Sequence, residues 1–457
     1  MPPRTDATLV ATGDAILTRP LPPTGPASPS GDLAGVLHDA EATVVHLECV
    51  VPDEGTYATP FRAVPDQYRH LASFPGTLFR GPPAVVDDLA ALGTDVVTLA
   101  SNHALDYGRA GLTATVRRIR DRGMAPAGAG ESRAAAGAPA YHETAAGRVA
   151  VVQATTGVPP GGEAGAATDR LPPRPGVNPL HFRWVHRVTA DQLDALREVA
   201  EATGIADATA SWRRREHSPG TDDPDYRFMH MGFRVVDDPA DVGIGYEAHE
   251  PDREALLDAV RAGRRNADWV VVGLHAHHGP GGIRNVPETP SAVRAVARDC
   301  VDAGADAFVG TGPHVVRGVE TYRDRPLCYS LGNFADQRET VDRLPPESYR
   351  YYGVDPDADP SAVFDRATVE ERDSDRWESV VLRLRLAADG PVRAEFLPVT
   401  LGPERSRGRR GTPERATGDE GERTLDRLVD RSDPFGTRFD RGDGVATVAL
   451  GDGSHNG

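Results

Sequence analysis

The chain has 457 residues and contains 51 basic and 68 acidic side chains, which gives a formal net charge of −17 at pH 7. No lysine occurs in the sequence, so all of the basic residues are arginines. Such an acidic composition argues against non-specific binding to nucleic acid or to anionic membranes, and no apolar run reaches the length of a membrane-spanning helix. The N-terminus lacks a charged segment followed by an apolar one, so we expect a cytoplasmic protein.

Apolar runs rich in β-branched residues alternate with segments of helical periodicity over most of the first 337 residues. This alternation is typical of an α/β fold. A Pro-rich loop is predicted over residues 20–31. Residues 157–250 break the alternation with a Pro- and Gly-rich stretch followed by a charged one, which predicts an insertion. We therefore expect a core domain over residues 1–337 that carries this insertion.

The remaining residues, 338–457, are predicted to form a C-terminal extension. Two apolar, alternating runs within residues 377–399 flank a turn at Asp389, and they predict a β-hairpin that completes the core sheet. Residues 403–422 are rich in Arg, Gly and Glu and are predicted to be a mobile loop. A short helix is expected after them, at residues 424–429.

Polar side chains that can coordinate a metal follow five of the predicted strands, at the point where each strand ends. These residues are Asp14, Glu48, Asn102, His103, His275 and His314. Because ligands bind at the carboxyl ends of strands in open α/β sheets, we expect these side chains to lie in one cleft. The mixture of oxygen and imidazole ligands suits Mn²⁺, Fe or Zn²⁺. The sequence therefore predicts a site for one or two divalent ions.

Two ions held about 3.5–4 Å apart by such ligands can clamp a phosphate and activate a water molecule. Glu48 could bridge them, and His103 would be left to protonate a leaving oxygen. His277 could face the same cleft if the chain stays extended after His275, whereas His278 is expected at the surface. Each residue could instead have a purely structural role, and only their convergence at five strand ends favours the metal site.

Several motifs occur in a fixed order along the first 337 residues. They are Gly13-Asp14, His46-Leu47-Glu48, Ser101-Asn102-His103-Ala104-Leu105-Asp106-Tyr107-Gly108, His275, Gly312-Pro313-His314-Val315 and Tyr329-Ser330-Leu331-Gly332-Asn333-Phe334. This order resembles the CapA family, the capsule-synthesis and poly-γ-glutamate proteins with a calcineurin-like metallophosphoesterase fold. The resemblance implies a four-layer α/β/β/α sandwich with a metal site at its strand ends. It also implies catalytic roles for His103 and Asp106, and metal-ligand roles for Asp14, Glu48, Asn102, His275 and His314.

The chain differs from the usual pattern of this family at two places in the predicted site. His46 stands where asparagine is usual, and Thr311 and Gly312 stand where one or two further histidines are usual. His46 precedes Glu48 by two residues on a strand, so both side chains could face the same way. His46 or His277 could therefore act as a supporting ligand. Many family members also carry an N-terminal membrane anchor, which we do not expect in this protein.

The resemblance implies a metal-dependent hydrolase of a phosphoester or related bond, linked to poly-γ-glutamate or capsule polymer metabolism. Its substrate would be a small molecule or a polymer, and its partners would be other proteins of polymer synthesis. The first alternative is a weakly active or non-catalytic binding or assembly factor of the same fold. The second is a structural relative without a metal. Metal content after purification separates the relative without a metal from the other two hypotheses. Turnover of a phosphodiester with Mn²⁺ separates the hydrolase from the binding or assembly factor.

We expect the melting temperature of this protein to rise between low salt and molar KCl. The formal net charge is −17, so acidic side chains repel one another in the compact state, and salt screens that repulsion. Thermal melts at both salt concentrations measure the effect. An equal or lower melting temperature in molar KCl would contradict the expectation.

Overall fold

The structure is a computed structural model that describes residues 6–22, 31–58, 78–215, 224–229, 231–367, 375–388 and 390–450. Most of the predicted Pro-rich loop at residues 20–31 and the predicted turn residue Asp389 lie outside these ranges. Helices and several β-sheets are interleaved along the chain, which confirms the predicted α/β class.

The bounds of the regular elements show this alternation directly. The strands are β1 (Ala7–Ile16), β2 (Ala42–Leu47), β3 (Val96–Thr98), β4 (Ala125–Ala127), β5 (Ala129–Gly130), β6 (Ala140–Glu143), β7 (Arg148–Thr155), β8 (Gly176–Val177), β9 (Phe182–Val188), β10 (Tyr226–Phe228), β11 (Met231–Val235), β12 (Gly243–Ala248), β13 (Trp269–His275), β14 (Ala307–Thr311), β15 (Val319–Tyr322), β16 (Arg325–Cys328), β17 (Asn333–Asp336), β18 (Glu378–Ala387), β19 (Gly390–Thr400), β20 (Glu414–Arg415), β21 (Asp440–Gly442) and β22 (Val445–Ala449). The helices are α1 (Gly31–His38), α2 (Ala84–Ala91), α3 (Gly108–Asp121), α4 (Arg133–Gly137), α5 (Ala190–Ala202), α6 (Ile205–Arg215), α7 (Glu250–Asn266), α8 (Ser291–Asp302), α9 (Pro346–Tyr352), α10 (Ser361–Ala367) and α11 (Gly418–Ser432).

The larger sheet has the strand order β21-β22-β19-β18-β1-β2-β3-β4, with β17 also paired to β1 and β20 to β19. Strands β1 to β4 run parallel to one another, whereas β18 is antiparallel to β1. Residues 7–11 of β1 pair with β18, and residues 14–16 pair with the parallel strand β17. The first strand of the chain therefore has neighbours on both sides along its whole length.

The second sheet has the order β15-β16-β14-β13-β7-β6. Its four central strands, β16, β14, β13 and β7, are parallel to one another, and the edge strands β15 and β6 are antiparallel to them. Strand β13 ends at His275, and β14 ends at Thr311, three residues before His314. The carboxyl ends of this sheet therefore carry the later histidines of the predicted site.

Three buried apolar clusters hold the sheets and helices together. The middle cluster contains residues of both sheets, such as Leu9 and Val271. The neighbouring residue Val10 instead joins a second cluster with helices α1, α2 and α3, because successive side chains of a strand point to opposite faces. On the second sheet, Val270 and Val272 join a third cluster with α7 and α8. The parallel strands of each large sheet are thus buried on both faces, as is usual for parallel strands.

The predicted insertion contains a small sheet of its own, with the order β10-β11-β9-β12. Helix α5 follows β9 and begins with a capping box. In it, the Thr189 hydroxyl accepts a hydrogen bond from the Gln192 amide, and the Gln192 side chain accepts one from the Thr189 amide. Helix α7 then returns the chain to the second sheet at β13.

The prediction of a mobile loop over residues 403–422 is wrong for much of that segment. Helix α11 begins at Gly418 and extends to Ser432, well beyond the predicted helix at residues 424–429, and Leu425 and Leu428 are fully buried. The arginines before it form ion pairs. The pairs are Arg405–Glu414, Arg407–Asp365 and Arg410–Glu339. Ion pairs therefore hold the arginine-rich segment in place, and two buried leucines anchor the helix that follows it.

Replacing Leu382 of β18 with alanine should lower the free energy of unfolding by about 2–5 kcal/mol. Leu382 is fully buried in the middle cluster and pairs with Ala11 of β1, so its loss leaves a cavity beside the first strand. Denaturant unfolding measures the change. The control is Val392→Ala on the adjacent strand, where the side chain is 40% exposed and the change should stay within about 0.5 kcal/mol. Equal effects would show that β18 is not part of the cooperative core.

Candidate metal centre

Asp14 lies near the end of β1, at the point where the two large sheets meet. Its carboxylate accepts hydrogen bonds of 2.8 and 3.1 Å from the backbone amide of Gly312, which follows β14 of the other sheet. Gly13 packs against Gly332 so closely that a Cβ at residue 13 would lie 1.8 Å from the Gly332 carbonyl oxygen. Only glycine fits there, which explains the glycine before Asp14 in the sequence.

Three imidazoles surround the Asp14 carboxylate. His275 Nδ1 lies 3.4 Å, His314 Nδ1 3.6 Å and His46 Nε2 3.7 Å from its oxygens. Burial alone would raise the pKa of Asp14, but the hydrogen bond and charge of His275 and the charges of the other two histidines outweigh it. The pKa of Asp14 is therefore lowered to about 2, and this carboxylate is ionised at neutral pH.

Glu48 follows β2 and is fully buried beside the same histidines. Its oxygens lie 3.6 Å from His275 Nε2, 3.8 Å from His314 Nδ1 and 4.0 Å from His103 Nε2. Among the described residues, neither oxygen of Glu48 has a hydrogen-bond partner. Burial, followed by the charge of Asp14, raises the pKa of Glu48 well above its usual value. An unsatisfied buried carboxylate of this kind is costly unless a cation binds it.

Asn102, His275 and His277 bring three donor atoms to one point. Asn102 Oδ1 lies 2.8 Å from His275 Nε2 and 2.9 Å from His277 Nε2, and the two imidazole nitrogens are 3.2 Å apart. Ligands at right angles around an ion with bonds of about 2.0–2.1 Å are separated by about 3 Å. The mutual spacing of these atoms therefore fits a shared divalent ion.

The second ring nitrogen of two of these histidines has a protein partner that fixes the ring. His46 Nδ1 lies 2.9 Å from the Thr98 hydroxyl, and His277 Nδ1 lies 2.7 Å from Asn285 Oδ1. His314 Nδ1, the nitrogen that faces both carboxylates, also lies 2.9 Å from Asn333 Oδ1. Such outer contacts orient metal-binding imidazoles.

Burial lowers the pKa of all four histidines, to about 3 for His46 and His314, and also for His275 and His277. The rings are therefore neutral, which is the form that binds metal. The side chains form two groups, and within each group the ligand atoms lie within 4.8 Å of one another. They are Asp14, His46 and His275, and Glu48, His277 and His314. Two carboxylates and four neutral imidazoles of this kind could hold one or two ions of Mn²⁺, Fe or Zn²⁺.

His103 lies at the edge of this centre, between Glu48 and Asp106. His103 Nδ1 is 2.7 Å from Asp106 Oδ2, and the same carboxylate oxygen accepts a 2.6 Å hydrogen bond from the Phe79 amide. The Phe79 ring packs on the imidazole with 4.2 Å between ring centres. Asp106 therefore fixes the ring of His103 and leaves Nε2 facing the site.

The structure brings all of the sequence-predicted site residues into one place. They are Asp14, His46, Glu48, Asn102, His103, Asp106, His275, His277 and His314. At the position where further histidines are usual, Thr311 Oγ1 instead lies 3.1 Å from His275 Nδ1. His46 and His277, the supporting ligands that the sequence suggests, place their imidazoles beside His275. Asn285 and Asn333 were not predicted as site residues, although Asn333 belongs to a motif singled out in the sequence.

The expectation that His278 lies at the surface is wrong. His278 is mostly buried, its Nδ1 lies 3.1 Å from the Thr156 hydroxyl, and its ring packs between Phe182 and Tyr246 at 5.2 and 4.7 Å. Both aromatic residues belong to the insertion, so the sequence near residue 278 carries no sign of this burial.

The fold and the site define a mixed α/β protein with a buried cluster of carboxylates and imidazoles suited to a divalent metal. A family model for bacterial capsule synthesis protein PGA_cap matches residues 8–338. An uncharacterized protein of Sinorhizobium fredii is 32% identical over 460 residues, which cover 97% of this chain and 93% of that protein. The chain therefore belongs to the CapA family of capsule and poly-γ-glutamate biosynthesis proteins.

Two further relatives carry more informative names. A probable polyglutamine synthesis accessory protein of Mycobacterium tuberculosis is 25% identical over 315 residues, which cover 68% of this chain and 60% of that protein. The PGA biosynthesis protein CapA of Bacillus subtilis is 36% identical over 83 residues, which cover 18% of this chain and 20% of that protein. Within the described part of the chain, no helix has the length and apolarity needed to cross a membrane.

Replacing His275 or His277 with alanine should weaken metal binding by more than about tenfold, because each removes an imidazole from the centre. Elemental analysis after dialysis against Mn²⁺ and Zn²⁺ measures the change. His278→Ala is the matched control, since its ring points into the aromatic contact with Tyr246 and not toward Glu48. Loss of metal in the His278 variant alone would contradict the assignment.

Proposed function

We propose that this protein is a metal-dependent hydrolase of a phosphoester or related bond. The observation that carries the proposal is the convergence of two buried carboxylates and four imidazoles, with His103 facing them at 4.0 Å from Glu48. Sites that only stabilise a fold rarely leave a buried carboxylate without hydrogen bonds, as Glu48 is left. Strongly perturbed groups in such a cluster are typical of functional sites.

We also propose that residues 1–337 form a calcineurin-like four-layer α/β/β/α domain, with residues 157–250 as its insertion and 338–457 as its extension. The sharing of one apolar cluster by the two large sheets supports this arrangement. Helices packed on the outer face of each sheet supply the two outer layers of the proposal.

In this proposal Asp14 and His46 would hold one ion, Glu48, His277 and His314 would hold another, and His275, with Asn102 beside it, lies between them. Divalent ions bound to such ligands would polarise an ester oxygen and lower the pKa of water. The protein's part is to orient these side chains and keep them away from bulk water. The low pKa values of Asp14 and of the buried histidines keep those groups deprotonated.

His103 acts as the general acid in the proposed reaction. In its doubly protonated form, the ring donates a proton from Nε2 to the leaving oxygen, while Nδ1–H donates a hydrogen bond to Asp106 that holds the ring in place. The bond to the leaving oxygen breaks as the oxygen of a water molecule bonds to the atom that the leaving oxygen departs from. His103 then takes up the proton that this water releases. One product therefore gains the hydroxyl group of the water, and the other gains the proton that His103 donated.

The proposed biological setting is capsule or poly-γ-glutamate polymer metabolism. It rests on membership of the CapA family and on the names of the mycobacterial and Bacillus relatives. The substrate in this setting is a polymer or one of its small precursors, and the partners are other proteins of its synthesis.

Replacing His103 with alanine should lower kcat for a generic phosphodiester about 10²–10⁴-fold in the Mn²⁺-loaded protein. Metal content should stay unchanged, because His103 is not among the proposed ligands. Asp106→Asn should also lower kcat, since a neutral amide stabilises the protonated imidazole less than a carboxylate does. Initial rates with bis(p-nitrophenyl) phosphate at molar KCl measure both effects.

The matched control is His38→Ala, because the His38 side chain is 71% exposed and lies outside the site. That variant should keep the activity of the unmodified protein. Tight metal binding by the unmodified protein without turnover of any phosphoester or amide substrate would contradict the hydrolase. It would favour the binding or assembly role instead.

A further inference from the structure

Arg284 lies on a tight hairpin that follows the metal centre in sequence. The Asn285 amide donates a 3.0 Å hydrogen bond to the His277 carbonyl, and the Gly279 amide donates a 2.8 Å bond to the Ile283 carbonyl. Residues 278 and 284 form an antiparallel bridge. The backbone of Arg284 is therefore held directly across from His278, one residue from the site.

The hairpin is also fixed to the centre by a side chain. Asn285 Oδ1 lies 2.7 Å from Nδ1 of His277, whose Nε2 belongs to the candidate metal centre. Asn285 has a φ of +57°, a conformation that asparagine adopts more readily than most residues. The position of Arg284 is thus coupled to the position of a proposed ligand.

The guanidinium of Arg284 differs from those of the other arginines near the centre. Arg338 pairs with Asp336 at 2.7 Å, and Arg317 donates to the carbonyls of Val286 and His278 at 2.9 and 2.8 Å. In the described part of the chain, the Arg284 guanidinium has neither a hydrogen bond nor an ion pair.

Arg284 lies beside the centre and is exposed to solvent. Its backbone pairs with that of His278, and the next residue, Asn285, contacts the imidazole of His277. These contacts place Arg284 next to the centre, within reach of a molecule bound there. Neighbouring protein lowers the pKa of the guanidinium, and its charge is, after burial, the next cause that lowers the pKa of His277.

The insertion supports the hairpin from outside. The Tyr246 hydroxyl of β12 donates a 2.8 Å hydrogen bond to the Gly279 carbonyl. Gly282 has a φ of +82° and packs against Trp184 of β9, where an added Cβ would lie 3.1 Å from the indole ring. The insertion thus holds Arg284 in place beside the centre.

We propose that Arg284 binds an oxyanion of the substrate, a phosphate or a carboxylate, next to the metal centre. This proposal rests on the proposed function, because it places the anion on the molecule that is hydrolysed. The guanidinium presents a planar fork of donors that matches two oxygens of either group. A bound anion would also offset the positive charge of Arg284 and of the metal ions.

The test uses the full chain loaded with Mn²⁺ and isothermal titration with two probes in separate arms. One probe is inorganic phosphate, and the other is a γ-linked glutamate tripeptide, which carries carboxylates only. Arg284→Gln should weaken binding of at least one probe by about tenfold or more, with unchanged metal content. Arg284→Lys keeps the charge but not the fork and should lose less.

The matched control is Arg265→Gln, which removes the same charge from an exposed arginine on α7. It should leave binding of both probes unchanged. Selective loss in the phosphate arm identifies a phosphate, and selective loss in the tripeptide arm identifies a carboxylate. Equal affinities of the Arg284 and Arg265 variants in both arms, or no binding of either probe by the unmodified protein, would overturn the proposal.

Hydrolysis of bis(p-nitrophenyl) phosphate by the unmodified protein is measured separately. Absence of turnover together with Arg284-dependent binding would reject the hydrolase and retain the anion site. Turnover together with equal kcat and KM in the unmodified and Arg284→Gln proteins would retain the hydrolase and reject a role of Arg284 toward that substrate.

Discussion

The burial of two carboxylates among four imidazoles is the constraint on which the rest of the structure depends. Taking an ion out of water costs several kcal/mol unless other groups compensate. Asp14 is compensated by the Gly312 amide and by three histidines, and its pKa falls. Glu48 lacks such donors and its pKa rises. The pKa values of the two acids therefore shift in opposite directions although the acids share neighbours, and a divalent cation would stabilise both as anions.

Such a cluster is stable only if the backbone holds its members in place. The two large sheets do this by presenting the carboxyl ends of parallel strands to one another, so that β1 and β2 face β13 and β14. Close backbone contacts complete the arrangement, because Gly13 touches Gly332 and His314 adopts a φ of +61°. A histidine in that left-handed region is strained by an order of 1 kcal/mol, and the strain aims its ring at both carboxylates.

The sequence predicted which side chains gather at the candidate centre better than it predicted what surrounds them. Polar residues after apolar strands are a local pattern, and parallel strands bring their ends together, so Asp14 and His275 could be found without a structure. The burial of His278 could not, because the rings that cover it come from an insertion distant in sequence. Residues 403–415 show the opposite error, since their arginines look typical of a mobile segment until their acidic partners are known.

The pairing of β1 has a consequence for the synthesis of the chain. This strand leaves the ribosome long before its partners, because residues 7–11 pair with β18 and Asp14 pairs with Asn333 of β17. Contacts between such distant segments close large loops and slow folding. Until β18 is made, one edge of β1 stays unpaired and open to association with other chains. The centre around Asp14 therefore assembles only after most of the polypeptide has been translated, and a nascent chain needs protection of its first strand until then.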